Sequence, residues 1–237
     1  MARSPQNILT DAFLADARNR MVDSQLRPNK VSDQRILDVM RRLPREHFLP
    51  AAQRALVYAD QNVPLGGGRV LLQPMALARL VQATAPSPGE KVLVAAAGTG
   101  YSAALLAALG CDVIALEEPG PLLTQARAAL AAVAPSVSLV SGPLSAGWAA
   151  GAPYDLILID GAVPKVPAAV ASQLNRETGR LVTIVGSGAS SGVFEGASHS
   201  GLAVQVEPTP AGISVRTLFD CLCPMLPAFA AVPAFEF

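Results

Sequence analysis

A chain of 237 residues suits one large domain or two small ones. Half of it is hydrophobic (51%) and only 15% is charged, so there is ample apolar surface for a core, and a folded chain is expected over most of the length. Eighteen basic side chains balance eighteen acidic ones, so no global positive field exists to hold phosphate backbones or anionic lipid, which argues against nucleic acid and membrane partners.

The first residues, Met1 to Met21, are broken by Asp11, Asp16, Arg18 and Arg20 and lack the apolar stretch of a secretory signal. No later apolar run has the length of a spanning helix, and a cytoplasmic location is expected. Cys111, Cys221 and Cys223 are too few and too poorly spaced for a disulfide framework or a zinc site. Cys221 and Cys223, two apart in a strand-like run, should face one side and pack.

The first ninety residues read as helices and loops. Ser32 is the expected N-cap of a helix over Asp33 to Leu43, with Ile36, Leu37, Met40 and Leu43 at helical spacing and Pro44 as its stop. The run Val63-Pro64-Leu65-Gly66-Gly67-Gly68-Arg69 reads as a loop. Pro74 opens a helix that ends near Ala85. From Lys91 strands alternate with helices, the pattern of a parallel sheet with crossovers. The expected strands are Lys91 to Ala95, Val113 to Leu116, Val137 to Val140, Leu156 to Ile159 and Leu181 to Val185; the expected helices are Tyr101 to Leu109, Pro121 to Val133 and Pro167 to Leu174. Ala203 to Val206 and Ile213 to Phe219 flank a Pro/Gly turn and suggest an antiparallel hairpin at the sheet edge, and Pro224 to Phe237 reads as an extended tail.

Gly98-Thr99-Gly100-Tyr101 falls between a strand and a helix, where an open α/β sheet brings backbone close to a ligand. Glu117 ends the next strand, near the separation of roughly 20 positions at which an acid receives ribose hydroxyls. Two adenosine ligands would use this arrangement, because Gly98-x-Gly100-x-x-Ala103 also satisfies a dinucleotide fingerprint, leaving NAD as a competitor.

A longer set of motifs bears on the choice. Met21-Val22-x-x-Gln25-Leu26, Pro44-Arg45-Glu46-x-Phe48-Leu49-Pro50, Pro64-Leu65-Gly66-Gly67-Gly68, Gln73-Pro74, Gly98-Thr99-Gly100-Tyr101-x-Ala103-Ala104, Gly147-Trp148 and Gln173-Leu174 occur in an order and spacing that resembles the protein-L-isoaspartate O-methyltransferase family, over most of residues 21 to 186. The resemblance implies a Rossmann-like methyltransferase fold: a mostly parallel sheet with an antiparallel edge hairpin, a helical N-terminal cap with the substrate loop over 1–90, a cofactor-binding core over 91–223 and a tail over 224–237, all one structural domain. It also implies S-adenosylmethionine as cofactor, with Gly98, Thr99, Gly100 and Tyr101 around its methionine end, Glu117 on its ribose and Gly142 beside its adenine. The implied partner is a peptide or protein with a free carboxylate, or a small-molecule carboxylate, which the enzyme methylates.

The chain departs from the family at several places. Val94-Ala95-Ala96-Ala97-Gly98 lacks the family's acid and one glycine, and Gly142-Pro143-Leu144 lacks the acid near the adenine. In the loop written Thr-Ile-Ser-Gln-Pro by the family, this chain has Val70-Leu71-Leu72-Gln73-Pro74, so Leu72 stands where a serine hydroxyl meets the reacting carboxylate. A carboxylate is already ionised at pH 7, so its methylation needs alignment rather than a general base. Arg69 is read as a donor to a substrate carboxylate or as a solvated loop charge. Asp160 is read as orienting a substrate amide or the cofactor ammonium, or as a helix cap. His47, Trp148 and the Arg41/Arg42/Arg45 group are read as structural, the arginines as a solvated face. The departures also support a rival reading: a relative that binds a nucleoside or a protein as a regulator without catalysis.

Overall fold

The computed structural model describes residues 10–186 and 199–230. The expected tail beyond residue 230 and the Gly/Ser-rich stretch before His199 lie outside the described residues. Thr10 caps helix α1 (Asp11–Met21) by accepting from the Phe13 amide, and the chain continues through a π turn, Val22–Leu26, and a 3-10 turn, Arg27–Asn29. The next helix, α2 (Gln34–Arg42), is capped by Asp33 rather than Ser32: the Asp33 carboxylate accepts from the Arg35 amide, and this acid also forks onto the Arg35 guanidinium. Ile36, Leu37, Val39 and Met40 bury its inner face.

The segment from Val63 that reads as a loop contains a hairpin, β1 (Val63–Gly66) paired antiparallel with β2 (Arg69–Leu71). Gly66, Gly67 and Gly68 all have positive φ (92°, 57° and 71°), which lets the chain reverse there with almost no side chain in the turn. Helix α3 spans Pro74–Thr84, with proline at its first turn.

The main sheet has seven strands: β3 (Lys91–Ala95), β4 (Asp112–Glu117), β5 (Ser138–Ser141), β6 (Leu156–Val163), β7 (Arg180–Gly186), β8 (His199–Thr209) and β9 (Gly212–Cys223). Their spatial order is β5-β4-β3-β6-β7-β8-β9, parallel from β5 to β7 and antiparallel over β8 and β9. Helices α4 (Tyr101–Ala108), α5 (Pro121–Val133) and the short α6 (Ala168–Ala171) make the crossovers. The fold is therefore the expected one. The edge hairpin is longer than its two apolar runs suggest, because ladder pairing carries flanking polar residues such as Glu207 and Asp220 into the strands.

Burial on both faces explains the continuous apolar strands. Val92 and Val94 of β3 and Leu156 and Leu158 of β6 join the core under α1 to α5, while Leu93, Ala95, Ile157 and Ile159 join a second core against α6 and the C-terminal segment. Cys221 and Cys223 are buried on one side of β9 with exposed Leu222 between them, and all three cysteines are free thiols. Among the described residues no helix is long and apolar enough to cross a membrane.

Chain order creates the site. After β3 the chain builds outward to β4 and β5, then returns to place β6 on the other side of β3, and an open α/β sheet binds ligands at such a reversal, outside the carboxyl ends of its strands. The turn after β3, Glu117 at the end of β4 and Asp160 on β6 meet at that edge.

Candidate active site

The turn after β3 begins under strain. Ala96 adopts φ 59°, in the left-handed region, where a Cβ costs about 1–2 kcal/mol. It occupies the place of the family's missing glycine. Its carbonyl accepts from Arg69 Nη2 at 2.7 Å. Gly98 and Gly100 also have positive φ (59° and 97°), and Gly100 is the N-cap of α4.

Glu117 is 2% exposed and its carboxylate is fully engaged. Oε1 accepts from Arg69 Nη1 at 2.9 Å and from the Glu118 amide at 3.0 Å; Oε2 accepts from Arg69 Nη2 at 3.0 Å and from the Gly98 amide at 2.6 Å. Arg69 is thus neither a solvated charge nor pointed at an outside carboxylate. It is 8% exposed and forms a two-pronged pair with Glu117, because β1 and β2 fold over the end of β4.

Asp160 is likewise buried, at a point where the register between β6 and β7 slips between Leu158 and Ala162. Its Oδ2 accepts from Ser102 Oγ at 2.5 Å, and its Oδ1 has no hydrogen-bond partner. Burial pushes its carboxyl up to about 6; Ser102, Arg69 and Arg45 counter this, and Glu117 adds to it. The helix-cap reading fails, because Asp160 bonds the first turn of α4 rather than the helix that follows it in sequence.

The arginine group divides. Arg41 pairs with Asp23 near the surface and Arg42 is exposed, but Arg45 is completely buried. Its Nε donates to the Val57 carbonyl at 3.0 Å, its Nη2 to the Leu72 carbonyl, and Nη1 has no partner. The guanidinium lies 4.7 Å from the centre of the Tyr101 ring, which meets Phe48 edge-on at 5.4 Å. Burial pulls the Arg45 guanidinium below its ordinary range, and the Tyr101 and Asp160 side chains pull it back up. Tyr101, expected at a cofactor's methionine end, is therefore enclosed beneath that edge, and its hydroxyl has no partner.

A cavity of about 310 Å³ opens beside the Arg69–Glu117 pair. The hairpin (Leu65, Arg69), the turn from Glu118 to Leu122, Leu144 and the Leu226–Ala228 segment line it. Its size suits a nucleoside-sized group. Glu117 stands at the strand end that receives ribose and adjoins the cavity through Arg69 and Glu118, so the residues present fit an adenosyl cofactor; Thr99, whose buried hydroxyl has no hydrogen-bond partner, borders a separate cavity with His47 and Phe48. Gly142 packs against Trp148 and Leu116 instead of lining the cavity, and Leu72 is 1% exposed within the core. His47 is exposed. Ser102 carried no sequence signal of its own, and the wall from Leu226 arrives from a remote part of the chain.

A seven-stranded sheet of this order, with a glycine turn after its first parallel strand and an acid after the second, has the Rossmann-like methyltransferase architecture. The fold is similar to a solved protein-L-isoaspartate O-methyltransferase (TM-score 0.73, 22% identity, 88% of this chain and 65% of that one). It is also similar to a putative Plasmodium falciparum protein-L-isoaspartate O-methyltransferase solved with S-adenosyl-L-homocysteine (TM-score 0.71, 16% identity, 89% and 98%). In sequence the chain is 44% identical over 172 residues to the protein-L-isoaspartate O-methyltransferase of Methylorubrum extorquens (strain PA1), covering 73% of this chain and 75% of the relative. To that of Koribacter versatilis (strain Ellin345) it is 42% identical over 188 residues, covering 79% and 82%. Residues 16–206 match the model of the Protein-L-isoaspartate(D-aspartate) O-methyltransferase family, and the chain belongs to that family.

Proposed function

We propose that this chain is an S-adenosylmethionine-dependent O-methyltransferase acting on the free carboxylate of isoaspartyl residues in peptides or proteins. The observation that carries this reading is Glu117, a buried carboxylate at the end of the second parallel strand, beside a glycine turn and a nucleoside-sized cavity in a chain of this family. In this reading Glu117 accepts the ribose hydroxyls, the Gly98–Gly100 turn faces the amino-acid end, and Asp160 orients the substrate amide or the cofactor ammonium. When bound, the cofactor would supply to the substrate carboxylate a methyl group carried on a positive sulfur, and since the carboxylate is already ionised no residue of the chain would need to move a proton. The chain's part is to align the two and to keep water from charges that cancel, alignment alone being worth up to roughly 7–11 kcal/mol.

Calorimetric titration with S-adenosylhomocysteine and NAD, followed by a methyl-transfer assay on an isoaspartyl peptide, tests the reading. S-adenosylhomocysteine should bind and Glu117→Ala should weaken it at least tenfold, about 1.4 kcal/mol. NAD binding without S-adenosylhomocysteine binding would refute it.

A further inference from the structure

We propose that Arg69 exchanges between two carboxylates: it pairs with Glu117 until a ribose takes its place there, and then passes to the carboxylate of the methyl acceptor. Cofactor binding then precedes substrate binding and creates the substrate's anion site. This rests on the cofactor reading given above.

Counting donors supports it. A carboxylate offers about four acceptor positions, and on Glu117 all four are filled, two by Arg69 and one each by the Gly98 and Glu118 amides. The two amides are fixed by the turn and the strand end. Ribose hydroxyls can therefore reach Glu117 only where Arg69 now donates. The arginine, 8% exposed, cannot be left as a bare charge, because a buried cation without an anion is strongly unfavourable. Its Nη2 also holds the Ala96 carbonyl at 2.7 Å, a contact that can persist as a pivot while the fork turns. Arg69 sits at the end of a glycine turn and lines the cavity, so the freed fork remains at the site. A planar guanidinium matches a carboxylate in two-pronged fashion, and it can hold one substrate oxygen while the other attacks. It also supplies the donor lost with the hydroxyl at Leu72, three positions along the same hairpin segment.

The wild-type protein provides the first test. An isoaspartyl peptide, titrated calorimetrically, should bind at least tenfold more tightly with saturating S-adenosylhomocysteine than without it; equal affinity would overturn the exchange. In Arg69→Met, S-adenosylhomocysteine should bind at least fivefold more tightly than in wild type, since no ion pair has to be broken, and the peptide should lose the enhancement. Weaker S-adenosylhomocysteine binding by a folded Arg69→Met protein would also overturn the proposal and place the arginine on the cofactor's own carboxylate. Failure of wild type to bind S-adenosylhomocysteine removes the cofactor reading and the exchange together, and it is seen before any variant is made. Should Arg69→Met not fold, as its melting curve will report, the wild-type measurement still decides.

Discussion

Gly100 shows at the scale of one residue how two demands can share a position. The sequence places it where backbone meets a ligand, but a Cβ built there would lie 2.9 Å from Leu130 of α5, and φ is 97°. Gly100→Val should therefore cost stability, about 1–2 kcal/mol from the backbone and about 1–3 from overpacking, measured by denaturant titration; loss of ligand binding at unchanged stability would contradict this packing account. Asp160 makes a pH-dependent contribution. Its folded value, about 6, lies above the ordinary 3.8, so the folded state binds its proton more tightly. The stability this confers is fully present below pH about 3.8 and is lost as pH rises through about 6, roughly 3 kcal/mol in all. Asp160→Asn should flatten the dependence of melting temperature on pH across that window, and an unchanged slope would show that the carboxyl is not neutral there. Leu72→Ser should not bring the roughly 5- to 150-fold gain in isoaspartyl methylation that a 1–3 kcal/mol contact would support, because Leu72 is 1% exposed in the core and Arg69 supplies the donor; it should instead cost stability through lost apolar burial. A gain in a folded Leu72→Ser protein, read in the methyl-transfer assay, would move the missing contact from Arg69 back to position 72. Candidate residues were legible because Glu117 and the glycine turn sit at fixed places in a repeating strand–helix pattern. Arg45 was not, since nothing local distinguishes a buried arginine from its solvated neighbours; its burial is set by Tyr101 and the Leu72 carbonyl, 56 and 27 positions away.

At the scale of elements, apolar runs predicted β3, α3 and α5 within a residue or so, because each is bounded by proline, glycine or charge. The β1–β2 hairpin escaped that reading. Its strands are four and three residues long, too short to show alternation, and three consecutive glycines hide the turn. Likewise β6 runs to Val163, past the Asp-Gly pair that reads as its end, because a slip in register carries the strand through Asp160 and Gly161. The hairpin turn itself is testable. Gly67 has φ 57° and no atom within 4 Å of a built Cβ, so Gly67→Ala should cost about 1 kcal/mol from the backbone alone, after the smaller entropy of the unfolded alanine chain is deducted. Chemical denaturation with an unchanged m value measures it, and a cost near zero would mean the turn relaxes to another conformation.

Across the whole molecule, the cavity depends on parts of the chain far apart in sequence, brought together by the C-terminal segment. Met225 forms a bridge with Ala162, and the Leu226 amide donates to the Ala162 carbonyl at 2.8 Å. The Leu226 side chain, 3% exposed, lies over Gly161, where a Cβ would come within 2.7 Å of it, and Pro227 approaches Gly68 of the hairpin turn at 3.1 Å by the same measure. One short segment thus braces both the β6 bulge that carries Asp160 and the hairpin that carries Arg69. The sequence shows only a proline-rich tail there, since its partners are two glycines whose significance is spatial. Leu226→Ala removes a buried side chain that is both core and cavity wall, so it should cost about 2–5 kcal/mol and weaken S-adenosylhomocysteine binding in the same protein. Leu222→Ala, at a site 58% exposed on β9, should change stability by no more than about 0.5 kcal/mol and leave binding intact. Thermal melts and titrations of the two variants side by side separate the bracing role from a general loss of apolar surface: equal effects at both positions would mean that the C-terminal segment does not organise the site.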